Sequence, residues 1–253
     1  MCQYFGGKIR LGKEISKIIK ENEFFILGHN TRTYFEPFIG MGGVFRHVIQ
    51  NTDRESIGCD YHEDLMLMWK SIKNGWIPPK EVSRHVHNQL KTQKPSALRG
   101  FVGFGCSYMG KFYSGFTETC LKSYNQIMSV SKIISTRKVV FLEHRDYKMH
   151  NPRNMTIYCD PPYKESNVSN YNAKTFRGFN HEEFWETMRE WSLYNLVFIS
   201  ETSAPDDFSC IWEKAVGRSF YKNKCFRRME RVFCHNSYKN RGEISQPIIL
   251  PEQ

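Results

Sequence analysis

Several features that would indicate a secreted, membrane-bound or repeat protein are missing from this sequence. Residues 1–10 contain no apolar stretch of signal-peptide length, and no hydrophobic run approaches the length of a membrane span. Low-complexity tracts, heptad series and internal repeats are also missing. We therefore expect a soluble, intracellular (cytoplasmic) protein without a membrane partner. Its 253 residues suit one domain with a modest insertion.

The eight cysteines include no Cys-x-x-Cys pair, which argues against a zinc ribbon or a redox motif. Cys225, Cys234 and His235 form a local group of potential metal ligands, but their spacing is not typical of a zinc site. Buried thiols in a reducing compartment are the better interpretation. We expect no metal.

Positive charge is concentrated in one segment. The chain has a net charge of +10, and residues 214–241 contain nine Lys or Arg and a single acid, Glu230. A solvated surface face is the simplest interpretation of such a run. Its concentration in one segment nevertheless favours a polyanionic partner, and nucleic acid is the common one.

Strand and helix patterns alternate along the chain, which predicts an α/β fold with a sheet of about six or seven strands. Strands are predicted at 33–38, 56–60, 138–142, 156–160, 196–200, 212–219 and 229–235. Helices are predicted at 44–50, 65–72, 117–135 and 181–191. Residues 79–115 interrupt this alternation with a Gly- and aromatic-rich stretch. We therefore predict an inserted subdomain at 79–135 within a main domain formed by 1–78 and 136–253.

The segment Asp160-Pro161-Pro162-Tyr163 carries the most specific chemical signal. It follows an apolar run, so Asp160 is expected at the carboxyl end of a strand, where open α/β sheets bind ligands. The prolines fix a rigid turn that holds two acceptors, the Asp160 carboxylate and the Pro161 carbonyl. Two acceptors suit an amino group with two N–H donors, and the Tyr163 ring can stack on the base that bears it. Such hydrogen bonds localise the nitrogen lone pair for attack on the sulfonium methyl of S-adenosylmethionine. A plain proline turn is the alternative.

A second motif, Glu36-Pro37-Phe38-Ile39-Gly40-Met41-Gly42-Gly43, follows the first predicted strand. Its glycines allow the backbone to approach a nucleotide-like ligand closely. Asp60, eighteen residues after Gly42 at the end of the next strand, can accept hydrogen bonds from ribose hydroxyls, or is simply an exposed strand-end acid. Upstream, Tyr4-Phe5-Gly6-Gly7-Lys8 can wrap a carboxylate or phosphate, although Lys8 as one more exposed lysine is an equal alternative.

In this order the three motifs resemble the DNA adenine methylase (Dam) family, the D12 class of N6-adenine DNA methyltransferases. Its members begin with aromatic-x-Gly-Gly-Lys, continue with Glu-Pro-Phe-x-Gly-x-Gly and an Asp in the next strand, and insert a target-recognition region before Asp-Pro-Pro-Tyr. The resemblance extends from about residue 4 to residue 235. It implies a Rossmann-like methyltransferase sheet of about seven strands and S-adenosylmethionine as the cofactor. It also implies a site-specific enzyme that methylates N6 of an adenine flipped out of double-stranded DNA. We expect a monomer or a weak dimer.

The resemblance also assigns site residues. Glu36 would lie near the methionine amino group of the cofactor, Asp60 on the ribose, and Phe38 beneath the cofactor. The implied cofactor-binding set is Tyr4, Gly7, Lys8, Glu36, Phe38, Gly40, Gly42, Asp60 and Asp160. The implied catalytic turn is Asp160, Pro161, Pro162 and Tyr163.

The insertion is the expected DNA reader. Residues 103–111 are similar to a version found in viral and phage relatives and do not match the base-reading segment of GATC-specific members, so no recognition sequence is predicted. Aromatic residues of the insertion and basic residues elsewhere are the candidates for DNA contact: Tyr108, Lys111, Phe112, Tyr113, Lys174, Arg177, Arg227 and Arg228. Aromatic residues packing a β-hairpin are the alternative for the insertion. The stretch 164–177 is a candidate loop that closes over the flipped base.

Three alternative functions remain open on sequence alone. N4-cytosine methyltransferases act on the same kind of amine but usually carry Ser where this chain has Asp160, and RNA adenine methyltransferases lack the leading Gly-Gly-Lys in this order. A catalytically inactive relative that only binds nucleic acid is the third possibility, although every expected catalytic residue is present.

Overall fold

A computed structural model describes residues 8–163, 179–221 and 224–241, without the side chains of residues 217–228 and 239–241. Tyr4, Gly7, Lys174 and Arg177 lie outside the described residues, and so do the side chains of Arg227 and Arg228. No helix in the described ranges is long and apolar enough to cross a membrane. The same ranges contain no group of three or more His, Cys, Asp or Glu arranged to hold a metal ion.

Seven strands form one sheet in the order β3-β2-β1-β4-β5-β7-β6. The strands are β1 (Thr33–Glu36), β2 (Ser56–Gly58), β3 (Val139–Phe141), β4 (Met155–Cys159), β5 (Leu196–Glu201), β6 (Phe208–Tyr221) and β7 (Lys224–His235). The first five are parallel to their neighbours, in the doubly wound order 3-2-1-4-5, and β7 runs antiparallel to both β5 and β6. The predicted α/β sheet is confirmed.

Helices cover both faces of the sheet. The helices are α1 (Gly12–Leu27), α2 (Phe45–Gln50), α3 (Glu63–Lys73), α4 (Arg84–Leu90), α5 (Ala97–Gly105), α6 (Cys120–Ile134) and α7 (His181–Ser192). Alternate strand residues point to opposite faces, so β1 places Tyr34 in the core under α1–α3, α5 and α6, and places Phe35 in the core under α7. The sheet is therefore packed between two hydrophobic cores, one on each face.

The predicted strands and helices are found within a few residues of their expected positions, with three differences. Helix α4 (Arg84–Leu90) is absent from the prediction. Helix α1 is also absent from the prediction, although Ile15, Ile18 and Ile19 carry the spacing of an apolar helix face and are buried. The Gly/aromatic stretch forms helix α5 and then a turn with a single bridge between Ser107 and Phe116, rather than a β-hairpin.

The insertion shares the core of the main domain. Helix α5 packs on α3 so closely that a Cβ atom at Gly100 would lie 2.3 Å from the carbonyl oxygen of Asp64. Phe101 and Val102 belong to the same buried cluster as Trp69 of α3. The division into a main domain and a recognition subdomain at 79–135 stays a prediction.

Candidate active site at the carboxyl edge of the sheet

Three carboxylates lie at the carboxyl ends of three adjacent strands. Glu36 is the last residue of β1, Asp60 follows β2 by two residues, and Asp160 follows β4 by one. Since β1 pairs in parallel with both β2 and β4, the three strands end at the same edge. Open parallel sheets bind their ligands there. The local sequence thus places the three acids, because each one lies within two residues of the end of its strand.

The Gly-rich loop is tied to Asp60. The Gly40 N–H donates to Asp60 Oδ2 and the His62 N–H donates to Asp60 Oδ1, both at 2.9 Å. Gly40 and Gly42 have φ values of 48° and 66°, a conformation that residues other than glycine rarely adopt. A Cβ atom at Gly43 would lie 3.0 Å from the carbonyl carbon of Lys8, so the loop also packs directly on the end of the first motif. The first two motifs therefore meet in space.

Burial raises the pKa values of two acids at this edge, Asp60 and Glu36. Burial raises the pKa of Asp60 to about 6, against the opposing effect of its backbone hydrogen bonds. Glu36 is 2% exposed, and burial together with the negative charge of Asp160 raises its pKa well above the usual value, despite a 2.6 Å hydrogen bond from the Tyr34 hydroxyl. A cationic ligand at this edge would relieve both penalties.

Lys8 joins the first motif to the proline turn. Its ammonium donates to Asp160 Oδ1 at 2.7 Å and lies 4.4 Å from the centre of the Tyr163 ring. The Lys8 side chain is 4% exposed and that of Asp160 is 17% exposed. Burial and the nearby Asp160 raise the pKa of the Tyr163 phenol well above its usual value, so the hydroxyl stays protonated. The equal alternative, Lys8 as an exposed lysine, is wrong.

Glu230 is a member of this cluster that the motifs do not reveal. It accepts a 2.7 Å hydrogen bond from the Tyr163 hydroxyl and lies 3.5 Å from the Lys8 ammonium. It belongs to β7, inside the segment whose composition indicates only a basic surface. The signal that could find it is the solitary acid among nine basic residues of 214–241.

The remaining candidates are distributed differently. Phe38 packs against Tyr147 and Phe184 in the core under α7. Tyr108 is 61% exposed at the turn after α5. Tyr113 is 3% exposed and its hydroxyl donates to the Arg99 carbonyl, so its ring is part of the core. Phe112 is also directed inward, against the rings of Phe104, His62 and Tyr113, while Lys111 is partly exposed.

A separate cavity of about 540 Å³ lies between α1 and α2. Lysines of α1 and polar residues after α2 line it, and none of the three strand-end carboxylates does. The cavity is therefore distinct from the carboxyl edge, and the cluster of motifs defines the candidate site.

Comparisons with known proteins agree with the motifs. Residues 4–104 match the model of the D12 class N6 adenine-specific DNA methyltransferase family. The chain is also 21% identical, over 219 residues, to the Type II methyltransferase M.MjaIII of Methanocaldococcus jannaschii, and the alignment covers 72% of this chain and 75% of that protein.

Several solved structures align with this chain at low similarity. The rRNA methyltransferase aviRa from Streptomyces viridochromogenes aligns with a TM-score of 0.40 and 8% identity, covering 91% of this chain and 87% of its own. Magnesium protoporphyrin IX methyltransferase from Synechocystis, with bound SAM, aligns with a TM-score of 0.36 and 9% identity, covering 90% and 82%. Residues 4–104, which contain the Gly-rich loop and Asp60, are thus similar to the D12 class of N6 adenine-specific DNA methyltransferases.

Proposed function

We propose that this protein transfers the methyl group of S-adenosylmethionine to the N6 amino group of an adenine flipped out of a short recognition sequence in double-stranded DNA. The observation that carries the proposal is the Asp160 turn. It projects a carboxylate from the carboxyl end of β4, next to the Tyr163 ring and beside the acids that end β1 and β2. The family match over residues 4–104 supports the same reaction.

The strand-end acids and the Gly-rich loop fit the cofactor. S-adenosylmethionine carries an ammonium group, a sulfonium charge and two ribose hydroxyls, and it supplies an activated methyl group when bound. Glu36 is a buried acid whose carboxylate form a cationic ligand would stabilise. Asp60 keeps lone pairs for ribose hydroxyls while its two backbone hydrogen bonds fix its orientation.

Asp160 is already oriented to accept from a nitrogen. In the structure its Oδ1 accepts an N–H from the Lys8 ammonium at 2.7 Å. We infer that the amino group of the target adenine takes this place, with the Pro161 carbonyl as the second acceptor. Hydrogen bonds to both N–H groups localise the nitrogen lone pair toward the methyl group, and the rigid turn holds the near-attack geometry. The nitrogen would gain the methyl group as the sulfur–methyl bond breaks, S-adenosylhomocysteine would leave, and the nitrogen would lose one proton to solvent.

The burial of the turn supports base flipping. The turn is largely buried, and a stacked adenine cannot reach it, so the base has to leave the duplex at a cost of a few kcal/mol. Tyr108, exposed at the turn after α5, and Lys111 are the described candidates for contact with the DNA. The basic residues of 214–241 suit phosphate contacts, which set affinity rather than sequence preference.

The test is methyl transfer from labelled S-adenosylmethionine to unmethylated bacterial DNA, with nucleoside analysis and single-molecule sequencing of the product. We expect N6-methyladenine at one short motif. N4-methylcytosine, or transfer only to RNA, would replace the proposed acceptor. Cofactor binding without any transfer would indicate an inactive nucleic-acid-binding relative.

The variant Asp160→Ala separates chemistry from binding. We expect it to abolish transfer while the DNA dissociation constant stays within a few-fold of wild type, because affinity comes from the basic surface. Asp206→Ala, at an exposed turn, is the matched control and should leave both properties unchanged. Equal loss of transfer and DNA binding in Asp160→Ala would contradict the assigned role.

A further inference from the structure

Glu230 contacts Tyr163 of the proline turn and also Lys8, the residue that pairs with Asp160. It is 5% exposed, it accepts from the Tyr163 hydroxyl at 2.7 Å, and its Oε2 lies 3.5 Å from Lys8 Nζ. The same Lys8 nitrogen lies 2.7 Å from Asp160 Oδ1. One buried ammonium therefore lies between two carboxylates, closer to Asp160.

The antiparallel pairing of β7 brings Glu230 to the site. Arg231 pairs with Glu201, the last residue of β5, so Glu230 lies just beyond the carboxyl end of that strand. Side chains alternate along a strand. The Arg231 side chain accordingly points elsewhere and donates to Glu213 and to the Thr202 carbonyl. The Glu230 side chain thus lies on the side of β7 that faces Tyr163 and Lys8, while the Arg231 side chain lies on the opposite face.

The proposed reaction requires a second carboxylate for the Lys8 ammonium, and Glu230 is within reach. If the adenine amino group takes Asp160, the Lys8 ammonium has to leave that carboxylate. Its side chain is 4% exposed, and a buried ammonium without a counter-charge is strongly unfavourable. Glu230 is the second carboxylate within ion-pair distance of Lys8 in the described part of the chain.

We propose that Glu230 is a positioning residue. It receives the Lys8 ammonium when the substrate amine takes Asp160, and it holds the Tyr163 ring in place through the phenol. This inference rests on the proposed function. Glu230 exchanges no atom with the substrate; it makes the acceptor of the amine available.

The test is Glu230→Gln, measured by single-turnover methyl transfer at saturating DNA and S-adenosylmethionine. Glutamine keeps an oxygen that can accept from the Tyr163 hydroxyl but removes the charge that attracts Lys8. We expect the transfer rate to fall at least about tenfold, equivalent to about 1.4 kcal/mol. The dissociation constants for DNA and S-adenosylhomocysteine should stay within about threefold of wild type. Glu213→Gln, on the neighbouring strand β6, is the matched control and should transfer at the wild-type rate.

A double-mutant cycle separates this role from a merely structural one. If Glu230 acts by receiving Lys8, then Glu230→Gln should have little further effect in a Lys8→Met background. Additive effects, or a Glu230→Gln enzyme as fast as Glu213→Gln, would overturn the inference while the wild type still methylates adenine. A wild-type enzyme that makes no N6-methyladenine would overturn the proposed function and this inference with it.

Discussion

Cofactor affinity should depend on the ionisation of Asp60. Burial raises the pKa of this carboxyl to about 6, whereas the ordinary value is 3.8. If the ionised form accepts the ribose hydroxyls, about nine tenths of the protein is competent at pH 7 and about one tenth at pH 5. We expect the affinity for S-adenosylhomocysteine to fall roughly tenfold between these pH values.

The assay is isothermal titration calorimetry with S-adenosylhomocysteine from pH 5 to pH 8. Because the pKa of Glu36 is also raised, the Asp60 contribution is taken as the difference between wild type and Asp60→Asn. The asparagine variant binds more weakly at every pH, since its amide nitrogen has to face the N–H of Gly40 or His62. Its pH dependence should nevertheless be shallower. A wild-type affinity that is constant from pH 7 to pH 5, or an equal slope in both proteins, would refute the reasoning.

The same carboxyl makes an opposite contribution to stability. A raised pKa means that the folded protein holds the proton more tightly than the unfolded chain. The Asp60 contribution to the free energy of unfolding therefore increases as pH falls from about 6 to 3.8, by about 3 kcal/mol in total. Urea unfolding of the apo-protein should show this trend in the difference between wild type and Asp60→Asn. Cofactor affinity and this part of stability thus change in opposite directions over the same pH range.

Three other results are expected. Arg54→Ala should lower the free energy of unfolding, measured in urea, by about 3 kcal/mol or more, because it leaves the fully buried Glu23 carboxylate without its cation. The double variant Arg54→Ala with Glu23→Gln should recover part of the loss. Asp64→Ala should cost about 2 kcal/mol and speed amide hydrogen exchange in α5, since Asp64 accepts from Arg99 at the start of that helix. Tyr108→Ala should weaken DNA binding by up to about tenfold with no change in S-adenosylhomocysteine affinity, because the ring is exposed and belongs to neither buried core cluster. Unchanged DNA binding would remove Tyr108 from the interface.

The strand ends of the site could be predicted from sequence because their information is local. Asp60 and Asp160 each follow a short apolar run, and parallel strands bring such residues to one edge. Gly40 and Gly42 are predictable for the same reason, since their backbone conformation is one that glycine tolerates best.

Contacts between distant segments could not be predicted in this way. Glu230 reaches the site through an antiparallel register that no local pattern in β7 encodes. Helix α5 contains three glycines, which favour other conformations in isolation, but Gly100 and Gly103 allow its close packing against α3 and the Phe112 ring. Tertiary packing thus overrides the local preference. Tyr113 is the corresponding case for side chains, because this aromatic residue of the insertion, a candidate for DNA contact on sequence alone, is part of the core.

The opposite signs of charge at the site and over the whole chain suit the two ligands. Glu36, Asp60 and Asp160 end adjacent strands, and Glu230 lies beside them, with Lys8 as the cation that contacts the proline turn in the described residues. Repulsion between these carboxylates, together with their burial, favours a cationic ligand. S-adenosylmethionine fits this description better than its product, because methyl transfer removes the sulfonium charge. The chain as a whole carries +10, much of it in 214–241, which favours the polyanionic DNA. We therefore expect the acidic edge to favour S-adenosylmethionine over its product, and the basic remainder of the chain to favour DNA binding despite that acidic edge.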